Sequence, residues 1–74
     1  MTNQEITLAI KDALLQRLSD RINQIPDERD REVVALRAMH GYNFEQIGEL
    51  LGMSFEVAEA RWHKVTEQWA NARG

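Results

Sequence analysis

The sequence of 74 residues contains no cysteine and only one proline. Without cysteine the chain has no disulfide, no thiol nucleophile and no thiolate zinc site. None of its apolar runs approaches the ~20 residues of a membrane-spanning helix. Its first residues have neither the basic start nor the apolar stretch of a signal peptide. We therefore expect a soluble, cytoplasmic protein with no membrane partner.

Motifs for catalysis and cofactor binding are also missing. The sequence has no glycine-rich phosphate loop, no nucleophile elbow and no pairing of a nucleophile with a base. The two histidines, His40 and His63, are far apart, and no metal-binding motif surrounds either of them. We expect no enzyme activity, no cofactor, no metal site and no small-molecule substrate.

Positive charge is scarce as well. Nine Lys and Arg residues stand against twelve Asp and Glu, which gives a net charge of −3. Because DNA affinity comes largely from neutralising phosphates, this balance is not that of an evident nucleic-acid binder. Helix N-terminal electrostatics and surface pairing with Arg29 and Arg31 would account for one cluster of acids: Asp27, Glu28, Asp30 and Glu32.

Apolar residues at helical spacing predict four helices and no strand. We expect the helices at about residues 3–24, 27–39, 44–51 and 54–71. Thr2 with Glu5, and Asn43 with Gln46, have the spacing of capping boxes. Three further residues mark helix ends or starts: Pro26, Gly41 and Ser54. The sequence therefore predicts an all-α fold, a compact array of four helices forming one domain over residues 1–74.

Apolar stripes run along the first and last helices. The first stripe is expected to face the core: Ile6, Ile10, Leu14, Leu18, Ile22 and Ile25. The last stripe faces inward or against a partner: Ala58, Trp62, Val65, Trp69 and Ala72. We expect Trp62 in the core, whereas Trp69 either packs on the first helix or contacts a partner.

Residues 43–65 follow the order short helix, glycine-containing turn, longer helix. A small residue at Gly48 lets the second helix cross closely, and Gly52 permits the positive φ that the turn needs. Met53 fills the corner. The pattern predicts a helix-turn-helix whose apolar residues share one core: Val33, Leu36, Ile47, Leu51, Ala58 and Trp62.

Two stretches carry a resemblance to a known family. Residues 25–37 read IPDERDREVVALR, and residues 41–54 read GYNFEQIGELLGMS. They resemble region 4 of bacterial RNA polymerase sigma factors, particularly the extracytoplasmic-function group, over about residues 14–66. The resemblance implies that the last helix docks in the major groove of the promoter −35 element. It also implies that the first helices bind the flap of the polymerase β subunit, a surface that anti-sigma factors often cover.

By this resemblance the last helix carries the DNA-facing residues: Ser54, Phe55, Glu56, Glu59, Ala60, Arg61, His63 and Lys64. Arg61 and Lys64 fall on basic positions of the family motif and would reach phosphates. Glu56 could accept a hydrogen bond from a cytosine amino group. Glu59 stands where the family usually has Lys or Arg, which leaves this face nearly neutral.

The expected DNA affinity of the isolated domain is low. Arg61 and Lys64, with Arg37 or Arg73, would supply two or three phosphate contacts. The salt slope is the slope of the logarithm of the DNA-binding constant against the logarithm of the salt concentration. Since each phosphate contact contributes about −0.9, this slope should be roughly −2 to −3.

The same resemblance implies an apolar surface for the polymerase flap or an anti-sigma factor. The candidates are whichever residues the core leaves uncovered among Leu15, Leu18, Ile22 and Val34. An alternative reading is a protein-interaction module that has exchanged DNA binding for docking on polymerase, an anti-sigma factor or itself. A region 2-like segment encoded upstream would favour the sigma factor, and a natural start at Met1 the interaction module.

Overall fold

The computed structural model describes residues 2–72, which form four α-helices and, over that range, no strand. The helices are α1 (Asn3–Asn23), α2 (Glu28–Ala38), α3 (Phe44–Leu51) and α4 (Phe55–Asn71). Each begins and ends within one residue of the bounds expected from the sequence. The predicted all-α fold is confirmed.

Side-chain caps explain where the helices begin. Thr2 Oγ1 accepts from the backbone N–H of Glu5 at 3.2 Å, and Glu5 accepts from the backbone N–H of Thr2 at 3.3 Å. Asn43 and Gln46 form the same reciprocal pair at 2.8 and 3.0 Å. These bonds satisfy amide groups that a helix leaves unpaired at its start. Both predicted capping boxes are therefore present.

Two buried clusters form the core, and Trp62 packs against both of them. One cluster joins α1, α2 and α4 through Ile22, Ile25, Val34 and Val65. The other joins α2, α3 and α4 through Val33, Ile47 and Ala58, with Leu36 and Leu51 packed beside them. This second cluster confirms the core that the helix-turn-helix pattern predicted.

The first half of α1 lies outside this core. Ile6, Ile10 and Leu14 are 44%, 56% and 58% exposed, so the expectation that the whole stripe faces inward is wrong. With 3.6 residues per turn, each step of four residues advances the stripe by about 40°, and Ile6 and Ile22 point about 160° apart. α2 and α4 pack on the side of α1 that carries Ile22, and the side that carries Ile6 stays exposed.

Trp69 packs against the cluster formed by Ile22 and Val65, at the C-terminal end of α1. The guanidinium carbon of Arg21 lies 4.7 Å from the centre of the Trp69 ring, which is within cation–π range. Of the two alternatives for Trp69, packing on the first helix is the one the structure shows. This contact joins the end of α4 to α1.

Candidate nucleic-acid interface

The turn between α3 and α4 brings two backbone segments unusually close. A Cβ atom added to Gly48 would lie 2.5 Å from the carbonyl oxygen of Met53. The backbone N–H of Met53 donates to the carbonyl oxygen of Gly48 at 2.9 Å. Gly52 ends α3 with a φ of 69°. The roles predicted for Gly48 and Gly52 in a helix-turn-helix are confirmed.

This turn presents the N-terminal half of α4 to solvent. Ser54 caps the helix, since its Oγ accepts from the backbone N–H of Val57 at 3.3 Å. Phe55 is 46% exposed and lines an open cleft between α3 and α4 together with Glu45 and Glu49. Most of the residues expected to face DNA are exposed: Ser54, Phe55, Glu56, Ala60, His63 and Lys64.

Arg61 and Glu59 are less exposed than expected, for different reasons. Glu59 is half-exposed, and its Oε1 lies 3.5 Å from His63 Nε2 one turn later. Arg61 lies against α2, where its Nη1 is 2.8 Å from Asp30 Oδ1 and 3.4 Å from Asp27 Oδ1. The guanidinium thus binds carboxylates of its own chain.

Lys64 joins the same group, because its Nζ contacts Asp30 Oδ2. The two cations of α4 and two acids at the N-terminal end of α2 form what we call the α2–α4 ion-pair cluster: Asp27, Asp30, Arg61 and Lys64. At its centre Asp30 is only 2% exposed. A buried carboxylate is tolerated where cations and hydrogen bonds compensate it, as they do here.

The predicted surface pairing of these acids with Arg29 and Arg31 is wrong for Asp27 and Asp30. Arg29 pairs with Glu32 at 3.2 Å, and Arg31 donates to the carbonyl oxygen of Ile25 at 3.1 Å. A signal for the buried acid was available. Asp30 stands three and four residues before the buried Val33 and Val34, hence on the core-facing side of α2.

Asp27 also caps α2. Its Oδ1 accepts from the backbone N–H of Asp30 at 3.0 Å. This hydrogen bond lowers the pKa of Asp27 below its ordinary value, and the positive charge of Arg61 lowers it further. Asp27 therefore stays ionised to more acidic pH than a free aspartate and keeps its negative charge beside the positive helix N-terminus.

Away from the ion-pair cluster, the outer surface of α3 and α4 is acidic. Five carboxylates lie there with substantial exposure: Glu45, Glu49, Glu56, Glu59 and Glu67. A cation near the start of α3 is Arg37, whose guanidinium lies 5.3 Å from the Phe44 ring and donates to the Tyr42 carbonyl oxygen. The outer surface of α3 and α4 thus carries more negative than positive charge outside the ion-pair cluster.

In a comparison with known protein families, the ECF sigma factor model matches residues 1–73. The chain belongs to the ECF sigma factor family. Comparisons with curated proteins and with solved structures gave no significant match. The family match confirms the resemblance carried by the motifs at residues 25–37 and 41–54.

Sigma factors regulate transcription initiation, act with RNA polymerase on promoter DNA and are not enzymes. Among residues 2–72 of this sigma factor, no three His, Asp or Glu side chains come together as a metal site. His40 follows the C-cap of α2, and its ring centre lies 6.2 Å from that of Tyr42. No helix of the described chain is long and apolar enough to cross a membrane.

Burial divides the four candidates for contact with polymerase or an anti-sigma factor. Ile22 and Val34 belong to the core cluster and are covered, so they are withdrawn as contact residues. Leu18 is half-buried against the same cluster, and Leu15 is exposed on α1. The sequence pattern could not separate the four, because burial depends on where α2 and α4 lie against α1.

Proposed function

We propose that this sigma factor chain acts as a region 4-like domain that contacts the promoter −35 element through α4. The observation that carries the proposal is the exposed outer side of the N-terminal half of α4, held on a turn that Gly48 and Gly52 shape. A helix presented in this way fits the major groove, where its first residues reach base edges. The proposal places the protein in the cytoplasm, with promoter DNA and RNA polymerase.

The DNA affinity of this domain alone is expected to be low. The residues expected to face DNA include the carboxylates of Glu56 and Glu59, while Arg61 and Lys64 are paired with Asp30. Most of the affinity then comes from contacts that RNA polymerase makes. Glu56 is suited to accept a hydrogen bond from a cytosine amino group, which gives base selectivity without phosphate contacts.

Docking on the polymerase flap, or on an anti-sigma factor, belongs to the same proposal. Leu15 is exposed on α1, and Leu18 lies one turn further along, half-buried at the edge of the core. Together they offer an apolar surface on the side of the domain formed by α1. Substitution of Leu15 should therefore affect a protein partner and leave DNA contacts unchanged.

The test of DNA contact is Glu59→Lys, with Glu67→Lys as its matched control. Both variants change the charge by two units, and Glu67 lies two turns further from the start of α4. If α4 enters the groove, Glu59→Lys strengthens binding to all duplexes and steepens the salt slope by about one unit. If Glu59 accepts a hydrogen bond from a cytosine, the same change removes the preference for one base pair, a loss of about 1–3 kcal/mol of discrimination.

A second candidate function is a protein-interaction module of the same fold. The observation that favours it is the mixture of carboxylates and exposed apolar side chains, among them Leu50, Phe55 and Val57, on the outer surface of α3 and α4. It predicts that Glu59→Lys leaves DNA binding unchanged and weakens a protein partner. Amide shifts of residues 54–64 on titration with −35 duplexes, at low and physiological salt, separate the two functions.

A further inference from the structure

Asp30 is the centre of an ion-pair cluster that uses both cations of α4. Its side chain is almost fully buried, and each of its carboxylate oxygens has its own cation: Arg61 Nη1 at 2.8 Å from Oδ1, and Lys64 Nζ against Oδ2. The sequence of α4 contains no other Lys or Arg. The positive charge of the helix expected to meet DNA is therefore held by one carboxylate of α2.

Both cations are partly exposed, so a DNA phosphate could contact them if Asp30 did not. Lys64 has a half-exposed side chain, and Arg61 lies one turn before it with a side chain 31% exposed. Within residues 2–72, Arg61 Nε is buried without a hydrogen-bond partner, so the carboxylates do not use every donor of this guanidinium. A released Arg61 could present its remaining donors to a phosphate.

We propose that Asp30 limits the DNA affinity of this domain by holding Arg61 and Lys64 away from phosphates. This rests on the proposed function, because it assumes that α4 meets DNA. A phosphate that approaches these cations competes with the Asp30 carboxylate, which is already desolvated and in contact with both of them. The negative charge of Asp27, 3.4 Å from Arg61, repels the phosphate further. Loss of Asp30 frees two cations for phosphate contact, and each such contact would steepen the salt slope by ~0.9.

The first experiment compares Asp30→Asn with wild type in duplex binding at several salt concentrations. With Arg61 and Lys64 held by Asp30, one of the two or three expected phosphate contacts remains, so the wild-type slope should be about −1 instead of roughly −2 to −3. Asp30→Asn should steepen it by one to two units. The matched control is Asp27→Asn, which removes the same charge from the same helix end. Asn caps a helix as well as Asp does, and both contacts of Asp30 remain in this control. The control should leave the slope within half a unit of wild type.

A second pair of variants does not depend on Asp30→Asn being folded. Lys64→Ala removes an exposed cation that the proposal assigns to Asp30, and Lys11→Ala removes one from the exposed half of α1. If Asp30 holds Lys64, both variants bind duplex DNA with the slope of wild type. If Lys64 already contacts a phosphate, Lys64→Ala alone makes the slope shallower by ~0.9, which overturns the proposal.

The results of these experiments distinguish failure of this inference from failure of the proposed function. A folded Asp30→Asn with an unchanged slope overturns the role of Asp30, while measurable wild-type binding leaves the proposed function standing. An equal steepening in Asp27→Asn also overturns it, because net charge then explains the gain. Binding by Asp30→Asn where wild type shows none supports it. If neither protein binds at low salt, both the inference and the proposed function fail.

Discussion

Gly48 offers the sharpest test of the helix-turn-helix geometry, because the structure and helix propensity predict opposite effects for Gly48→Ala. In an ordinary helix interior, replacing Gly with Ala stabilises by about 1 kcal/mol. Here the added Cβ would lie 2.5 Å from the Met53 carbonyl oxygen and 3.4 Å from the Phe55 nitrogen. Both atoms are backbone, so no rotamer change can relieve the contact.

The size of the effect follows from these two terms. Overpacking in a tightly packed region costs about 1–3 kcal/mol, and a clash with backbone belongs to the upper half of that range. After the gain of about 1 kcal/mol in propensity, we expect Gly48→Ala to lower the free energy of unfolding by about 1–2 kcal/mol. For a domain of roughly this length that corresponds to a fall in Tm of roughly 5–15 °C.

Thermal unfolding followed by circular dichroism at 222 nm measures this directly. The control is Gly52→Asn, since nothing lies within 4 Å of a Cβ at Gly52 and Asn tolerates its positive φ of 69° better than other side chains do. We expect this control to change Tm less than Gly48→Ala does. A Gly48→Ala protein with a Tm equal to or above that of wild type would refute the close approach of Gly48 and Met53.

Three further predictions concern the core, the partner surface and pH. Trp62→Ala should lower the free energy of unfolding by about 3 kcal/mol, because Trp62 packs against both clusters; near-wild-type stability in urea unfolding would contradict this. Leu15→Glu should weaken binding to core RNA polymerase or an anti-sigma factor while helical content stays unchanged; unaltered binding to every partner would remove Leu15 from the docking surface. Asp27 has a lowered pKa when folded, so its stabilising effect is present above the ordinary aspartate pKa and lost as pH falls through the lower, folded value. Tm of wild type should therefore fall more steeply below about pH 4 than Tm of Asp27→Ser, whose cap does not titrate, and parallel curves would contradict the capping contribution.

The elements that the sequence predicted well depend on neighbours close in the chain. Capping boxes at Thr2 and Asn43 involve residues three positions apart, and the turn needs Gly48 and Gly52 within one short segment. A short segment with such a pattern can adopt few other backbone conformations. For that reason the helix starts and the helix-turn-helix followed from the sequence alone.

The exposed half of α1 could not be predicted in the same way. A stripe such as Ile6, Ile10 and Leu14 shows which side of a helix is apolar, and it does not show whether other helices are long enough to cover that side. At 21 residues α1 is about 30 Å long, whereas α2 has 11 residues. The mismatch in length, together with the rotation of the stripe, leaves this side uncovered.

The sequence pattern does not predict the ion-pair cluster, for a related reason. Asp30 and Arg61 are 31 positions apart, and their contact depends on how α4 crosses α2. Family resemblance favoured a role for Arg61 at the DNA, because the motif places a basic residue there. The structure shows that the same side chain has a partner inside the domain. A basic residue on a recognition helix is thus weak evidence for phosphate contact until its intramolecular partners are known.

Low affinity of the isolated domain is compatible with a role at promoters. Non-specific DNA affinities are typically about 10⁻⁴ to 10⁻⁶ M at physiological salt. A domain tethered near its site by a short flexible linker experiences an effective concentration on the order of 1 mM. At that concentration a Kd of about 0.1 mM gives roughly 90% occupancy. If polymerase holds this domain beside the −35 element, Asp30 can therefore restrain the cations of α4 without preventing promoter contact. The restraint instead disfavours binding to DNA in the absence of polymerase, where no tether raises the local concentration.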